Sequence, residues 1–204
     1  MVLDVAGLRE RLARQAPQAF AVYGDDRIGG EPSDITPASV LVPIVAHVAG
    51  LTVLFTQRTT HLKAHAGQVA FPGGRAEPGD ATPEFTALRE SREEIGLAPE
   101  RVEILARLPD YITRTGYRVT PVVGLLAPPL ELAPDPGEVQ QVFEVPLAFL
   151  LDPRNHRRQT RELNGRTVGF YEMTFEQSPI IWGATAGMMV NLYRRLTATA
   201  PPNG

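Results

Sequence analysis

Apolar and polar residues recur along this chain with two periods, and the switches between them outline its elements. Leu3, Val5, Leu8 and Leu12 fall on one face of a short amphipathic helix. Residues 23–37 are polar and contain Gly and Pro, which predicts a loop. Two β-rich runs, SVLVPIVAHV and LTVLFTQR, then flank Ala49-Gly50 and predict a hairpin. Residues 61–68 are polar and turn-like, and Val69 opens a short strand that stops at Pro72-Gly73-Gly74. The clearest helix is predicted over 82–95, where Thr82 can cap it, Pro83 suits its first position and Gly96 ends it. Strand-like runs follow at 102–108, 119–126 and 139–145, then a short helix at 146–151. Asn164-Gly165 marks a further hairpin, and 183–197 is a final amphipathic helix.

Mixed strands among few helices predict an α+β fold or an α/β/α sandwich rather than a regular parallel array. We divide the chain into a helix-and-loop appendage (1–37), one domain (38–198) and a disordered tail (199–204). Composition fits this picture: 204 residues, 43% hydrophobic and 21% charged, suffice for one substantial core. The net charge of −3 argues against a general nucleic-acid binder, because neutralising phosphates takes a basic surface. The absence of cysteine excludes disulfides, thiolate metal sites and a cysteine nucleophile. The first residues mix charges with apolar positions, unlike a signal peptide, and no run is long enough to span a membrane. The expectation is a soluble, cytoplasmic protein with no nucleic-acid or membrane partner.

Candidate chemistry concentrates on the 82–95 helix. At about 100° per residue, Glu90, Glu93 and Glu94 share one face, while Ala87, Leu88, Ser91 and Ile95 lie opposite. Glutamates three and four apart repel by roughly 0.2–0.5 kcal/mol per pair, so something cationic should compensate. Arg89, one turn before Glu93, can orient it but cannot neutralise three carboxylates. A hard divalent cation, Mg²⁺ or Mn²⁺, suits an all-oxygen site, and Gly73-Gly74 lets a bare backbone carbonyl approach the ion. A Glu/Arg-rich helix by itself is usually a solvated face; here it follows a strand and a Gly-Gly turn.

The segment Gly73-Gly74 through Asp80, followed by Arg89-Glu90-Ser91-Arg92-Glu93-Glu94-Ile95-Gly96-Leu97, resembles the Nudix box. It departs from the box in three ways: Asp80 replaces the usual glutamate, one extra residue separates it from Arg89, and Ser91 takes a usually apolar position. Upstream, Leu54-Phe55-Thr56-Gln57-Arg58-Thr59, Lys63, Gly67 and Phe71-Pro72-Gly73-Gly74 are similar to the motif marking coenzyme A diphosphatases within that family. Thr115-Gly116-Tyr117-Arg118-Val119-Thr120-Pro121 and Ile181-Trp182-Gly183-Ala184-Thr185-Ala186 look like the same subgroup.

The resemblance implies a Nudix fold with a mixed sheet between helices, and cleavage of coenzyme A to 3′,5′-ADP and 4′-phosphopantetheine. It implies metal ions held by Glu90 and Glu94, with Glu93 and the Gly74 region assisting. Arg89 and Glu93 then act in catalysis, with Glu138 and Glu144 as candidate downstream carboxylates. Arg58, Lys63, Gly67, Arg114 and Arg118 contact the substrate, with His61 and His65 nearby. The partner is a small molecule, and the protein is a monomer or homodimer. Trp182 reads either as a base-stacking residue or as core. The box itself fits equally a hydrolase of ADP-ribose or nucleoside triphosphates, or a non-catalytic binding module.

Overall fold

The run Leu41-Val42-Pro43-Ile44-Val45 has no polar alternation, as expected of a strand covered on both faces. In the computed structural model, which describes residues 3–14, 35–61, 65–163 and 165–198, this run lies in the central strand. Strand β1 (Thr36–His47) turns through residues 48–49 into β2 (Gly50–Arg58), with His47 opposite Gly50. The short strands β3 (Val69–Ala70) and β4 (Gly73–Arg75) pair with β2 and β1, respectively. Helix α2 (Pro83–Ile95) leads to β5 (Val102–Arg107), β6 (Tyr111–Ile112) and β7 (Tyr117–Leu126). β7 runs parallel to β1 from Thr36↔Tyr117 to Val45↔Leu126, whereas the other pairs of this sheet are antiparallel. β8 (Val139–Pro146) closes the far edge of β2, and α3 (Leu147–Leu150) follows. A separate sheet holds β9 (Arg157–Leu163), β10 (Arg166–Met173) and β11 (Ile181–Trp182), and α4 (Gly183–Thr197) completes the chain.

The sheet is a two-sided wall. Leu41, Val45 and Leu54 face Ala87 and Ile95 of α2, while Val42, Ile44, Val53 and Phe55 join the larger core with α1 (Val5–Ala13) and α4. This is the α+β architecture expected from the sequence, a mixed sheet between helical layers. Among the described residues, no helix is long and apolar enough to cross a membrane.

Three features differ from the sequence reading. β1 begins at Thr36, so Pro37 is not loop; its partner is Arg118 of the parallel β7. β4 and β6 carry too little apolar periodicity to announce themselves, and pairing with a neighbour makes them strands. Finally, α1 is built into the core rather than appended. Leu8 is fully buried and Leu12 nearly so, and both belong to the main cluster. The helix is also tied down by reciprocal caps, because Arg11 Nη1 donates to Leu196 O of α4 (2.7 Å) and Arg195 Nη2 donates to Leu12 O (2.7 Å). Arg9 adds a two-pronged ion pair with Glu103 of β5. Residues 15–34, Lys63, Asn164 and the expected tail from 199 onward lie outside the described residues; beside Asn164, Gly165 has the positive φ of 73° that a tight turn requires.

Leu8→Ala should therefore cost about 2–5 kcal/mol in denaturant unfolding, the usual cost of emptying a buried leucine site. A loss under about 0.5 kcal/mol would mean that α1 is a dispensable appendage.

Candidate active site

Local sequence fixes both ends of α2. The Thr82 side chain accepts from Phe85 N, and Pro83 occupies the first turn. At the other end Gly96 adopts φ 68°, and its N–H donates to Arg92 O. A Cβ there would lie 2.9 Å from Ala133, so glycine answers both the left-handed backbone and the packing. The loop before β8 satisfies the last carbonyls, with Ala133 N donating to Ile95 O and Asp135 N to Glu94 O (2.9 Å each). Ser91, at the usually apolar box position, is fully buried and bonds back to Ala87 O (2.6 Å), so its hydroxyl needs no other partner.

The Gly73-Gly74 turn meets the acidic face of this helix. Gly73 N donates to Glu94 Oε2 (3.1 Å). A Cβ on Gly74 would lie 2.5 Å from the Glu90 carboxyl carbon, so this glycine makes room for a side-chain carboxylate. The sequence had suggested room for an approaching ion. Arg58 at the end of β2 places Nη1 3.4 Å from Glu94 Oε1, while its Nε is buried with no acceptor among the described residues.

Arg89 is the hub of the remaining contacts. Its Nε and Nη2 donate to the two oxygens of Asp80 (3.2 and 3.0 Å), and Nη2 also donates to Arg75 O (3.0 Å). Nη1 lies 3.0 Å from Glu90 Oε1 and 3.1 Å from Glu93 Oε2. Asp80 thus serves Arg89, and it is held in turn by Thr86 Oγ1 and Glu77 N (2.9 Å each). The Arg89 guanidinium and the Glu77 amide keep the Asp80 carboxyl well below the ordinary carboxylate range. Asp80, in turn, raises Arg89.

The glutamates behave in the opposite way. Burial pushes Glu94 up to about 7 against the pull of Gly73 N–H and Arg58, and Glu138 and Glu90 push it further. Burial also raises Glu90; Arg89 opposes the shift, while Glu93 and Glu138 add to it. The charge of Glu138, in the loop before β8, thus acts on both inner glutamates, while its backbone N–H donates to Asp135 O and its C=O accepts from Thr59 N. Glu93 remains largely in solvent at 59% side-chain exposure.

Other expected residues are placed elsewhere. Glu144 is not brought to this cluster. It pairs with Leu54 in the middle of β2 and is taken by His47 Nε2 (2.7 Å) and Thr52 Oγ1. Its alternation along β8 carries it roughly 16 Å along the strand from the Val139 end beside Arg58. Gly67 shapes the turn after β2 with φ 70°, and its carbonyl accepts from Gln57 Nε2. His65 bonds Gln68 instead of turning to the glutamates. Arg114 keeps a buried Nη1 without an acceptor among the described residues. Arg118 lines a cavity of about 260 Å³ between β1 and the start of α2, which shares Asp80 with the Arg89 hub. The sequence reading missed Asp80 as the clamp of Arg89; its place in the box loop was the available signal.

As they stand, no three acidic or histidine side chains among the described residues converge closely enough to hold a metal outright. The donor chemistry nevertheless fits a hard divalent cation: the groups are oxygens only, and burial raises both Glu90 and Glu94, with the charge of Glu138 adding to each, the mark of incompletely compensated negative charge.

Comparison with known proteins agrees with this geometry. A family model for the NUDIX domain matches residues 36–163. An uncharacterized Nudix hydrolase, NudL, of Shigella flexneri is 40% identical over 174 residues, covering 85% of this chain and 89% of the relative. The NudL of Escherichia coli K12 is 41% identical over 167 residues, covering 81% and 85%. Among solved structures, a MutT/nudix family protein from Enterococcus faecalis superposes with a TM-score of 0.50 at 18% identity, covering 96% of this chain and 75% of the other.

Because the folded-state value of Glu94 exceeds its ordinary 4.5, the folded metal-free protein holds a proton that the unfolded chain has lost. The associated stability is complete below about pH 4.5 and disappears as pH rises through about 7. Without metal, Glu94→Gln should therefore stabilise the protein at pH 8 by on the order of 3 kcal/mol relative to its effect at pH 4. Thermal melts in EDTA at the two pH values check this; an effect of equal size at both would contradict it.

Proposed function

The chain belongs to the Nudix hydrolase family, and we propose that within it this protein hydrolyses the diphosphate of coenzyme A, giving adenosine 3′,5′-bisphosphate and 4′-phosphopantetheine. The pyrophosphohydrolase chemistry comes with the family; the substrate is our reading. Its principal support is a pair of orphaned donors. Arg58 and Arg114, both singled out in the sequence for phosphate contact, each keep a buried guanidinium nitrogen with no acceptor among the described residues. Such a buried donor costs about 1–3 kcal/mol until an acceptor arrives, and an anionic oxygen is the strongest acceptor available. The described parts of the motif, residues 54–61 and 65–74, are also joined to each other and to the glutamates: β2 and β3 pair through Thr56↔Ala70 and Gln57↔Val69, Arg58 N donates to Gln68 O, and Gly73 N donates to Glu94.

Nudix hydrolases generally use divalent metals, and here Mg²⁺ or Mn²⁺ would be held by Glu90 and Glu94, with Glu138 facing both. The bound ion would neutralise charge on the diphosphate as the bond breaks. The protein's own groups do the rest. Arg58 binds a phosphate oxygen, and Arg89, locked by Asp80, fixes the direction of Glu90 and Glu93. Glu93, open to solvent yet held at 3.1 Å by Arg89, positions the attacking water. That water adds to one phosphorus, the bridging P–O bond breaks, and the two products each leave with a phosphate.

Purified protein incubated with coenzyme A, ADP-ribose and a nucleoside triphosphate should release adenosine 3′,5′-bisphosphate in preference to other products, and only with Mg²⁺ or Mn²⁺. Glu90→Gln should lower kcat about a thousandfold, the cost of losing several kcal/mol of transition-state stabilisation. Preferred turnover of ADP-ribose or the triphosphate would overturn the substrate reading and leave the family chemistry standing. Near-normal turnover by Glu90→Gln would overturn the assignment of that glutamate.

A further inference from the structure

The small sheet presents an aromatic and cationic surface that the diphosphate chemistry does not use. In β11 the two residues divide their roles: Ile181 is fully buried in the main core, and Trp182, opposite Glu172 of β10, points to the other face and stays partly exposed. The strand register puts Phe170 of β10 and Arg157, Gln159 and Arg161 of β9 on that same face. Phe170 meets Trp182 edge-on with ring centroids 5.8 Å apart. The exposed Arg161 guanidinium lies over both rings, 5.4 Å from the Trp182 centroid and 5.7 Å from that of Phe170. A tryptophan serving only the core would be covered by apolar side chains; this one is partly exposed and has an exposed guanidinium over its ring.

The platform also lies close to the acidic site. Thr185, one turn into α4 from Trp182, donates its buried hydroxyl to Val69 O of β3 (3.0 Å). Val69 is four residues ahead of Gly73, whose N–H reaches Glu94. Along this path chain reach limits Trp182 to about 25 Å from Gly73, and β11 packs directly against β3.

Building on the diphosphate-hydrolase reading, we propose that Trp182, Phe170 and Arg161 form the subsite for the nucleobase end of the substrate. A purine ring would stack on the Trp182 indole, and Arg161 would meet the phosphate carried by the ribose. The chemistry suits both parts of such a ligand: an aromatic face accepts any planar base, and guanidinium groups pair with phosphate oxygens. The pantetheine arm, which has no aromatic ring and no phosphate beyond the diphosphate, would gain nothing there.

Trp182 is the only tryptophan in the chain, so its fluorescence reports on this one place. Titrating the unmodified protein with adenosine 3′,5′-bisphosphate should quench that emission saturably, and 4′-phosphopantetheine should leave it unchanged. Arg161→Gln should raise the nucleotide Kd and the KM for coenzyme A about tenfold, with kcat within about twofold. A merely structural arginine would instead lower the melting temperature and leave Kd and KM alone. Unchanged emission at saturating nucleotide, or quenching by phosphopantetheine in place of the nucleotide, would overturn the subsite. Saturable quenching by the nucleotide in a protein that fails to cleave coenzyme A would uphold the subsite and defeat the substrate reading.

Discussion

Negative charge held largely out of water governs this structure. Glu90 and Glu94 lie within one turn of the same helix, pressed against Gly73 and Gly74 and faced by Glu138. Buried like charges raise one another's proton affinity, and a fold holds them together only if cations and oriented N–H groups oppose the repulsion. Arg89 meets most of that demand, and Asp80 keeps it aimed by taking two of its nitrogens. The glycines have a matching role. Gly74 leaves space for the Glu90 carboxylate, Gly73 offers Glu94 a bare amide, and Gly96 stops the helix where the loop before β8 can bring Glu138 round. The helix, the turn ahead of it and the loop behind it thus form one electrostatic unit mounted on the sheet.

Much of this was legible in the residues themselves. α2 could be placed from Thr82, Pro83 and Gly96 because capping chemistry is local, and the acidic face followed from helical spacing alone. The parallel partnership of β1 with β7 was not legible, because it joins segments about eighty residues apart and no local pattern encodes it. The same holds for α1. Four apolar positions announced a helix but not its burial, which rests on Arg11 and Arg195 capping each other's helices across the full length of the domain. Strand β9, with three arginines and a glutamate among its seven residues, has no apolar periodicity of its own; the turn signal at 164–165 predicted the hairpin, and pairing with β10 sets the strand's extent.

At the candidate site, the sequence placed the acidic helix and left the secondary contacts open. Asp80 departs from the usual box glutamate by one methylene and sits in a loop one residue longer; the turn in which Asp80 N donates to Glu77 O delivers the shorter side chain to Arg89. Glu138 and Glu144 were indistinguishable as candidates along one stretch of chain. The structure separates them: the charge of Glu138 is felt by the inner glutamates, whereas Glu144 is engaged by His47 and Thr52. Spacing along a strand cannot report which neighbour a side chain will find across it. Arg58 shows the same limit: its charge suggested phosphate, and its position adds an ionic contact with Glu94 while leaving one donor unmet.

The account stands or falls on whether the paired glutamates bind a divalent cation. Titration of the protein with Mn²⁺, reading the free ion by electron paramagnetic resonance, tests this without reference to any substrate. The account predicts saturable binding that is lost in the Glu90→Gln, Glu94→Gln double variant while the fold persists by circular dichroism. Equal Mn²⁺ affinity in the double variant and the parent would contradict it.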